Sequence, residues 1–217
     1  MRAERFHRLR TVLARRQPDL TVLMDRVHKS HNFSAILRNC DAVGVLEAHV
    51  VIPEGGDLDL HHGTSAGTKK WVRVAYHREV ADAIGRLKAE GFTLVAADPS
   101  RDARDYREVD YTRPTAITLG AELHGVSPEA LRLADEHVSI PMMGMVHSLN
   151  VSVASSLLLF EAARQRAAAG MYDESRLPPD EFDAWLFQWA YPTLARARRD
   201  EGRPYPRLGP DGEILED

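Results

Sequence analysis

The chain has 217 residues, and its 28 lysines and arginines against 32 aspartates and glutamates give a formal charge of −4. This length and a hydrophobic content of 44% indicate one domain with appended helices. The longest apolar run, residues 151–160, is too short to span a bilayer, and the single cysteine excludes an internal disulfide and a multi-cysteine metal site. The arginine-rich N-terminus lacks the apolar segment of a secretory signal, so we expect a cytoplasmic protein with no membrane partner.

The apolar pattern alternates between helical and strand periodicity along most of the chain. It predicts helices over residues 4–16, 32–43, 79–90, 128–135 and 149–169, and strands over residues 20–24, 48–53, 92–97, 116–119 and 137–141. Alternating strands and helices are typical of an α/β fold with a mostly parallel sheet. From about Tyr172 the composition changes, and we predict one further helix over 182–197 and a loose tail from Gly202.

These patterns divide the chain into three segments. They are a basic N-terminal helical arm (residues 1–19), a central α/β domain (20–170), and a C-terminal helical extension with its tail (171–217). Residues 1–16 contain six arginines and one acidic residue, a distribution that fits a polyanion partner and equally fits a solvated helix face. The preference for arginine over lysine favours phosphate, because a guanidinium group can donate two parallel hydrogen bonds to it.

Two polar windows follow predicted strands. In residues 28–41, Asn32 and Arg38 are six positions apart, or about 120° from alignment on a helix. They converge on one ligand only if Asn32 precedes the helix; otherwise Asn32 is a helix cap and Arg38 a surface charge. In residues 119–127, Gly120 and Gly125 let the backbone approach a ligand at a strand's carboxyl end. A glycine-stabilised turn with Glu122 in solvent explains this window equally well.

Two further windows are polar or unusually flexible. Residues 140–155 run from a strand through a methionine-containing loop into a helix, where the N–H groups near Ser148 can hold a carboxylate. The methionines can instead fill gaps in the core. Residues 64–71 form a polar loop that suits phosphate contacts, while the adjacent His61 and His62 lack the further ligands of a metal site. We therefore predict no bound metal.

Three of these windows resemble the motifs of the SpoU branch of the SPOUT, or trefoil-knot, RNA methyltransferases. The matching segments, in the family's order and spacing, are residues 32–44 (NFSAILRNCDAVG), 119–127 (LGAELHGVS) and 140–153, which begins IPM and ends SLNVSV. The resemblance covers roughly residues 8–175 and assigns residues 20–170 to the methyltransferase domain. His147 departs from the family pattern, in which a glutamine is expected.

The resemblance implies a deep C-terminal trefoil knot in the α/β domain, a homodimer, and S-adenosyl-L-methionine bound in the knot. The cofactor-binding positions carried over are Leu119, Gly120, Ile140, Met142 and Leu149. The catalytic positions carried over are Arg38, Asn32, Glu122, Ser148 and Asn150. A guanidinium with a pKa above about 12 is a poor base, so we expect Arg38 to stabilise the developing alkoxide while substrate phosphate or water accepts the proton.

The resemblance further implies 2′-O-methylation of the D-loop guanosine at position 18 of tRNA, with no DNA partner. The implied tRNA contacts are Arg8, His31, Lys69, Arg164 and Arg166. Alternatives are methylation of another RNA, either ribosomal RNA or the tRNA wobble ribose, and a non-catalytic RNA-binding protein of the same fold. A short basic arm in place of a separate N-terminal RNA-binding domain favours tRNA.

Overall fold

The computed structural model describes residues 1–53, 70–100 and 102–215. The helices are α1 (Ala3–Ala14), α2 (Ser30–Ala42), α3 (Val80–Ala89), α4 (Pro128–Leu133), α5 (Val151–Ala168), α6 (Pro179–Ala190) and α7 (Pro192–Asp200). The strands are β1 (Leu20–Asp25), β2 (Glu47–Val51), β3 (Arg73–His77), β4 (Thr93–Ala97), β5 (Arg104–Asp105), β6 (Thr115–Gly120) and β7 (Glu136–Ser139). Lys69, His61 and His62 lie outside the described residues, as does most of the 64–71 window.

The chain forms two compact units. One comprises residues 18–169, and the other combines residues 1–17 with residues 170–217. The N-terminal arm and the C-terminal extension, which the sequence separates, therefore belong to one unit. No helix in the described part of the chain is long and apolar enough to cross a membrane.

Residues 18–169 contain a seven-stranded sheet in the order β3-β2-β1-β6-β4-β7-β5, and every pair is parallel. The prediction of an α/β fold with a mostly parallel sheet is confirmed. Every residue of β1 and β6 is buried, as expected for central strands covered by helices on both faces. Their register pairs Leu20 with Thr115 and Asp25 with Gly120, so both strands end at the same edge of the sheet.

Edge strands and a proline account for two differences from the predicted elements. The sequence pattern does not predict β3 or β5; β3 lies at the sheet edge, and none of its residues is fully buried.

The single helix predicted over 182–197 is wrong, because α6 and α7 are separated at Tyr191. Pro192 disfavours a helical conformation in the residue before it, and Tyr191 has φ −131° and ψ 61°.

The predicted loose tail from Gly202 is also wrong. The ring of Tyr205 stacks on Phe187 of α6 with 4.9 Å between centroids. The Tyr191 hydroxyl donates to the carbonyl of Gly212 at 2.7 Å. Aromatic stacking and a backbone hydrogen bond therefore hold the tail within its own unit.

Arg166, predicted to contact RNA, is fully buried on α5. Its guanidinium donates to the Asp19 carboxylate at 2.6 Å and to the carbonyls of Tyr111, Asp19 and Arg113 at 2.9, 3.0 and 3.0 Å. Asp19 and Arg113 precede β1 and β6, so Arg166 ties α5 to the amino-terminal edge of the sheet. The prediction of a phosphate contact is wrong, because the guanidinium is buried and its N–H groups donate to groups inside the protein.

Replacing Arg166 tests this structural role. We expect Arg166→Met to lower the free energy of unfolding by about 3–5 kcal/mol, because it leaves a largely buried carboxylate and three carbonyls without their donor. Urea denaturation measures the loss. The matched control is Arg164→Met on the same helix, whose guanidinium is exposed, and its effect should stay within about 0.5 kcal/mol. Equal losses in the two variants would contradict the role.

A pair of histidines, one buried and one half-buried, makes stability depend on pH. His49 on β2 places Nδ1 3.0 Å from Nε2 of His77, and burial, His77 and Arg86 lower the pKa of His49 from 6.5 to about 4. Between these two pH values the unfolded chain binds the proton and the folded chain does not. The stabilisation is therefore complete above pH 6.5 and is lost as the pH falls toward 4.

We expect His49→Gln to flatten this pH dependence. The wild-type free energy of unfolding should fall between pH 6.5 and 4, and the variant should remove up to about 1.4 kcal/mol per pH unit from that slope. Urea denaturation at half-unit pH steps measures both slopes. His124→Gln, at an exposed histidine, is the control and should keep the wild-type slope. An unchanged slope in His49→Gln would refute the explanation.

Candidate active site

A cavity of about 690 Å³ opens at the carboxyl ends of β4, β6 and β7. Its volume lies within the range of about 300–1,000 Å³ typical of small-molecule sites. Apolar side chains, including Val138 and Leu158, form much of its wall. The lining includes eight of the predicted site residues: Leu119, Gly120, Glu122, Ile140, Met142, Ser148, Leu149 and Asn150.

Two glycines shape the wall formed by the loop after β6. A Cβ on Gly120 would lie 1.8 Å from the carbonyl carbon of Gly125, so only glycine fits without displacing the backbone. The Gly125 N–H donates to the Ala121 carbonyl at 2.8 Å, and its φ of +65° favours glycine. The backbone thus closes tightly on itself beside the cavity, and a side chain at Gly120 would distort the lining.

Glu122 connects this wall to the start of α2. Oε1 accepts hydrogen bonds from Asn32 Nδ2 at 2.7 Å and from the Lys29 N–H at 3.3 Å, and Oε2 lies 3.0 Å from His28 Nδ1. Burial alone would raise the pKa of Glu122, but the hydrogen bond from Asn32 and the neighbouring donors hold it below its usual value. The Glu122 side chain is only 8% exposed, so the interpretation that places it in solvent is wrong.

The start of α2 separates the two residues of the first window. The helix begins at Ser30, so Asn32 lies in its first turn and donates to Glu122 in place of capping the helix. The interpretation of Asn32 as a cap is therefore wrong. Arg38 lies about 120° further round α2. It is exposed, is not part of the cavity lining, and has no hydrogen-bond or ion-pair partner among the described residues.

Asn150 caps α5, and a second asparagine joins α5 to α2. Asn150 Oδ1 accepts from the Ser152 N–H at 2.8 Å and from its hydroxyl at 2.6 Å. Asn39 Nδ2 donates to the Ser152 carbonyl at 3.0 Å and to the Ser155 hydroxyl at 2.8 Å. The residue next to Arg38 therefore fixes α2 against the first turn of α5. Sequence reasoning missed Asn39, whose only signal is a polar residue beside the apolar face of the helix.

Sequence reasoning also missed Asp25 and Arg26 at the end of β1. The buried Asp25 carboxylate accepts from the Ser127 N–H at 2.8 Å and from the Arg26 guanidinium at 3.0 Å. Arg26 has φ +55°, a rare conformation for a residue with a side chain. An aspartate directly after an apolar strand was the available signal. The pair ties β1 to the loop that follows Glu122.

The residues predicted to contact RNA lie on different elements and belong to both units of the chain. His31 is exposed in the first turn of α2, and Arg164 is exposed on α5, where it pairs with Glu161 at 2.7 Å. Arg8 is exposed in the other unit, in a cleft that also contains Arg2 and Arg5.

One face of α5 is apolar and exposed. Val153, Leu157 and Phe160 follow helical spacing and are 47%, 37% and 52% exposed. Three large apolar side chains on one helix face form the kind of patch that marks an interaction surface.

Comparison with known proteins covers both units of the chain. Residues 19–160 match the SpoU rRNA Methylase family, and residues 164–217 match the C-terminal family named SpoU, rRNA methylase. The chain is 50% identical over 219 residues to the tRNA (guanosine(18)-2′-O)-methyltransferase of Escherichia coli (strain K12), across 100% of this chain and 95% of that protein.

Solved structures show the same similarity. The TrmH/SpoU tRNA modifying enzyme of A. aeolicus has a TM-score of 0.81 and 44% identity, across 88% of this chain and 97% of that one. The SpoU methyltransferase AviRb from Streptomyces viridochromogenes, in complex with the cofactor AdoMet, has a TM-score of 0.62 and 29% identity, across 70% and 62%. With its sheet, its cavity and both sequence matches in agreement, the chain belongs to the SpoU methyltransferase family.

Proposed function

We propose that this protein is a cytoplasmic enzyme that transfers a methyl group from S-adenosyl-L-methionine to the 2′-hydroxyl of guanosine 18 in the D-loop of tRNA. The observation that carries the proposal is the hydrogen bond from Asn32 to Glu122. It places polar side chains beside a cavity of the size typical of small-molecule sites. The choice of substrate is supported by a tRNA (guanosine(18)-2′-O)-methyltransferase that is 50% identical across the whole chain.

The cavity suits S-adenosyl-L-methionine by its chemistry. Apolar walls accept an adenine ring and the methylene groups beside a sulfonium, and the glycine at 120 lets the loop after β6 close on itself along the wall. Leu119, Gly120, Ile140, Met142 and Leu149 would hold the cofactor, which supplies a methyl group on a positively charged sulfur. The binding of AdoMet by AviRb supports this assignment.

We also propose a deep trefoil knot at this end of the domain. The loop after β6 and the segment from Ile140 to Asn150 line the same cavity, and the first closes tightly on itself at Gly120 and Gly125. Two chain segments that line one cavity at the same sheet edge are expected when the chain passes through its own loop.

The apolar face of α5 supports a homodimer. Val153, Leu157 and Phe160 lie on the helix that begins at the cavity, and an identical face on a second copy would cover them. Arg38 lies on α2, which Asn39 fixes to α5, so such an interface would bring Arg38 toward the partner subunit. We propose that Arg38 stabilises the alkoxide in the cavity of the partner.

Phosphate contacts would come from exposed cations. Arg8, His31 and Arg164 are exposed, and Lys69 keeps this role as a proposal from the sequence. Arg164 would exchange its contact with Glu161 for one with a phosphate. Such contacts make tRNA affinity fall steeply with salt, because each neutralised phosphate releases counterions.

Methyl transfer to unmodified tRNA tests the function directly. With tritiated S-adenosyl-L-methionine, we expect label in 2′-O-methylguanosine at position 18, located by nuclease mapping. Label in ribosomal RNA alone would refute the substrate, and RNA binding without label would refute the enzymatic proposal.

A matched glycine pair tests the cavity. We expect Gly120→Ala to weaken cofactor binding at least tenfold and to abolish transfer, because the new Cβ would overlap backbone at 1.8 Å. Gly85→Ala is the control, since a Cβ at Gly85 meets nothing within 4 Å, and its activity should be that of the wild type. Calorimetric titration and thermal melts separate lost binding from lost folding. Equal cofactor affinity in the two variants would contradict the assignment.

Mixed dimers test whether Arg38 acts across the interface. Copies carrying Arg38→Ala and Gly120→Ala are co-expressed with different tags and purified through both. Each homodimer should be inactive, but the mixed dimer has one intact cavity facing one intact Arg38 and should show about half the wild-type activity. An inactive mixed dimer would place Arg38 in its own subunit's site, and failure to recover mixed dimers would refute the homodimer.

A further inference from the structure

A second carboxylate lies in the wall of the cavity, on the side opposite Glu122. Glu122 follows β6 and accepts hydrogen bonds from Lys29 and Asn32, which follow β1. On the other side, at the carboxyl end of β4 and beside β7, the lining includes Asp98. The proposed reaction gives Asp98 no role so far, and neither of its neighbours in the chain carries a charge.

Three hydrogen bonds hold the Asp98 carboxylate in one orientation. Oδ1 accepts from the Ser100 N–H at 3.1 Å, and Oδ2 accepts from the Ser100 hydroxyl at 2.9 Å. Nδ1 of His137 lies 3.2 Å from Oδ2. Burial alone would raise the pKa of Asp98, but the hydrogen bonds from His137 and Ser100 hold it below its usual value. The group is therefore an ionised acceptor at neutral pH, although its side chain is only 17% exposed.

These donors leave the cavity side of the carboxylate open. An ionised carboxylate has about four acceptor sites, and the three contacts leave one of them, on Oδ1. Asp98 lines the cavity, whereas Ser100 and His137 are not among the described residues of the lining. The carboxylate is thus held from outside the cavity, and its remaining acceptor site is left for a donor inside it.

The position of Asp98 suits the nucleoside half of the cofactor. The strands β1, β6, β4 and β7 are successive neighbours, so two strand spacings, or about 10 Å, separate the Asp98 side of the sheet edge from the Glu122 side. The apolar Val138 and Ile140 lie on the Asp98 side and would face an adenine ring. In dinucleotide-binding α/β sheets, an acidic side chain binds a ribose hydroxyl at the same edge.

We propose that Asp98 binds a hydroxyl group of the cofactor's ribose, an inference that rests on the proposed function. The hydroxyl donates to Oδ1 of the ionised carboxylate. Ser100 and His137 are positioning residues that keep the carboxylate turned toward the cavity. The contact places the nucleoside beside β4 and β7 and directs the sulfur toward the Glu122 side.

Calorimetric titration with S-adenosyl-L-homocysteine and with its 2′-deoxy and 3′-deoxy analogues tests the contact without turnover. We expect the wild type to bind one of the analogues about tenfold or more weaker than the parent compound, because that analogue lacks a hydrogen bond to a charged group. Asp98→Ala should bind the parent compound weaker by a similar factor. It should bind that analogue and the parent compound with affinities within about twofold of each other.

Asp110 provides a matched control. Its carboxylate also accepts from the N–H and the hydroxyl of the residue two positions on, Thr112, at 3.0 and 2.6 Å. The Asp110 side chain is 55% exposed and is not part of the cavity lining. Asp110→Ala should therefore bind all three compounds within about twofold of the wild-type affinities.

A second variant separates lost binding from lost folding. Asp98→Asn keeps the shape of the side chain but removes its charge, and thermal melts show whether each variant is folded. A neutral acceptor makes a weaker hydrogen bond than an ionised one, so we expect Asp98→Asn to bind the parent compound about threefold or more weaker than the wild type. Its affinity for the analogue that lacks the contact should stay within about twofold of the wild-type value.

Titration with S-adenosyl-L-methionine tests whether Asp98 contacts the ribose or the charged sulfur. The ribose is the same in S-adenosyl-L-methionine and S-adenosyl-L-homocysteine, whereas only the first carries a positive sulfur. Asp98→Ala should therefore weaken the binding of both by the same factor, within about twofold. A clearly larger loss for S-adenosyl-L-methionine would place Asp98 at the sulfur and overturn the assignment to the ribose.

The remaining outcomes separate this inference from the proposed function. Equal losses for the parent compound and both analogues in the folded variants would assign Asp98 a structural role and overturn the inference. Wild-type affinity in both variants, or a wild type that does not distinguish the analogues from the parent compound, would overturn it as well. A wild type that binds neither S-adenosyl compound would overturn the proposed function, and this inference with it.

Discussion

The hydrogen bond from Asn32 to Glu122 is the contact on which the arrangement of the site depends. It joins residues 90 positions apart and connects the loop after β6 to the first turn of α2. Without it, the Glu122 carboxylate would be buried with fewer hydrogen-bond donors. Burial of a charge without donors is strongly unfavourable. Oε2 of the same carboxylate lies 3.0 Å from His28 Nδ1, so one side chain contacts both the start of α2 and the segment before it.

Two groups of polar contacts hold the opposite edges of the sheet. At the amino-terminal edge, buried Arg166 bonds to segments that precede β1 and β6, whereas at the carboxyl edge Asp25 holds the loop that ends at Ser127. Between them, Asn39 fixes α2 to α5. Helices anchored at both ends of the sheet leave the cavity edge little freedom, which suits a site that must hold a small cofactor against a large RNA.

The sequence was sufficient where the signal is local. Alternating periodicity indicated the parallel sheet, whereas the glycines after a strand and the polar helix start were explained by an ordinary turn and a helix cap as well as by a ligand site. It was insufficient where partners are distant: nothing near Arg166 in the chain shows that its donors meet carbonyls before two strands, and nothing near Asn32 identifies Glu122. Pro192 signalled the break between the two helices of the extension. The apolar spacing continues across that break and obscured the signal.

The distribution of charge explains why the proposed site would have balanced charges only with its substrate bound. With the cofactor and Arg38 placed as proposed, a positively charged methyl donor and a guanidinium would repel each other at low dielectric, and a nearby anion would weaken that repulsion. Glu122 and Asp25 are engaged with donors of their own, and Arg38 is exposed and has no anionic partner in the described part of the chain. Under the proposed function, the RNA phosphates would supply this negative charge, so substrate binding itself would complete the electrostatics of the reaction and restrict it to a polyanion.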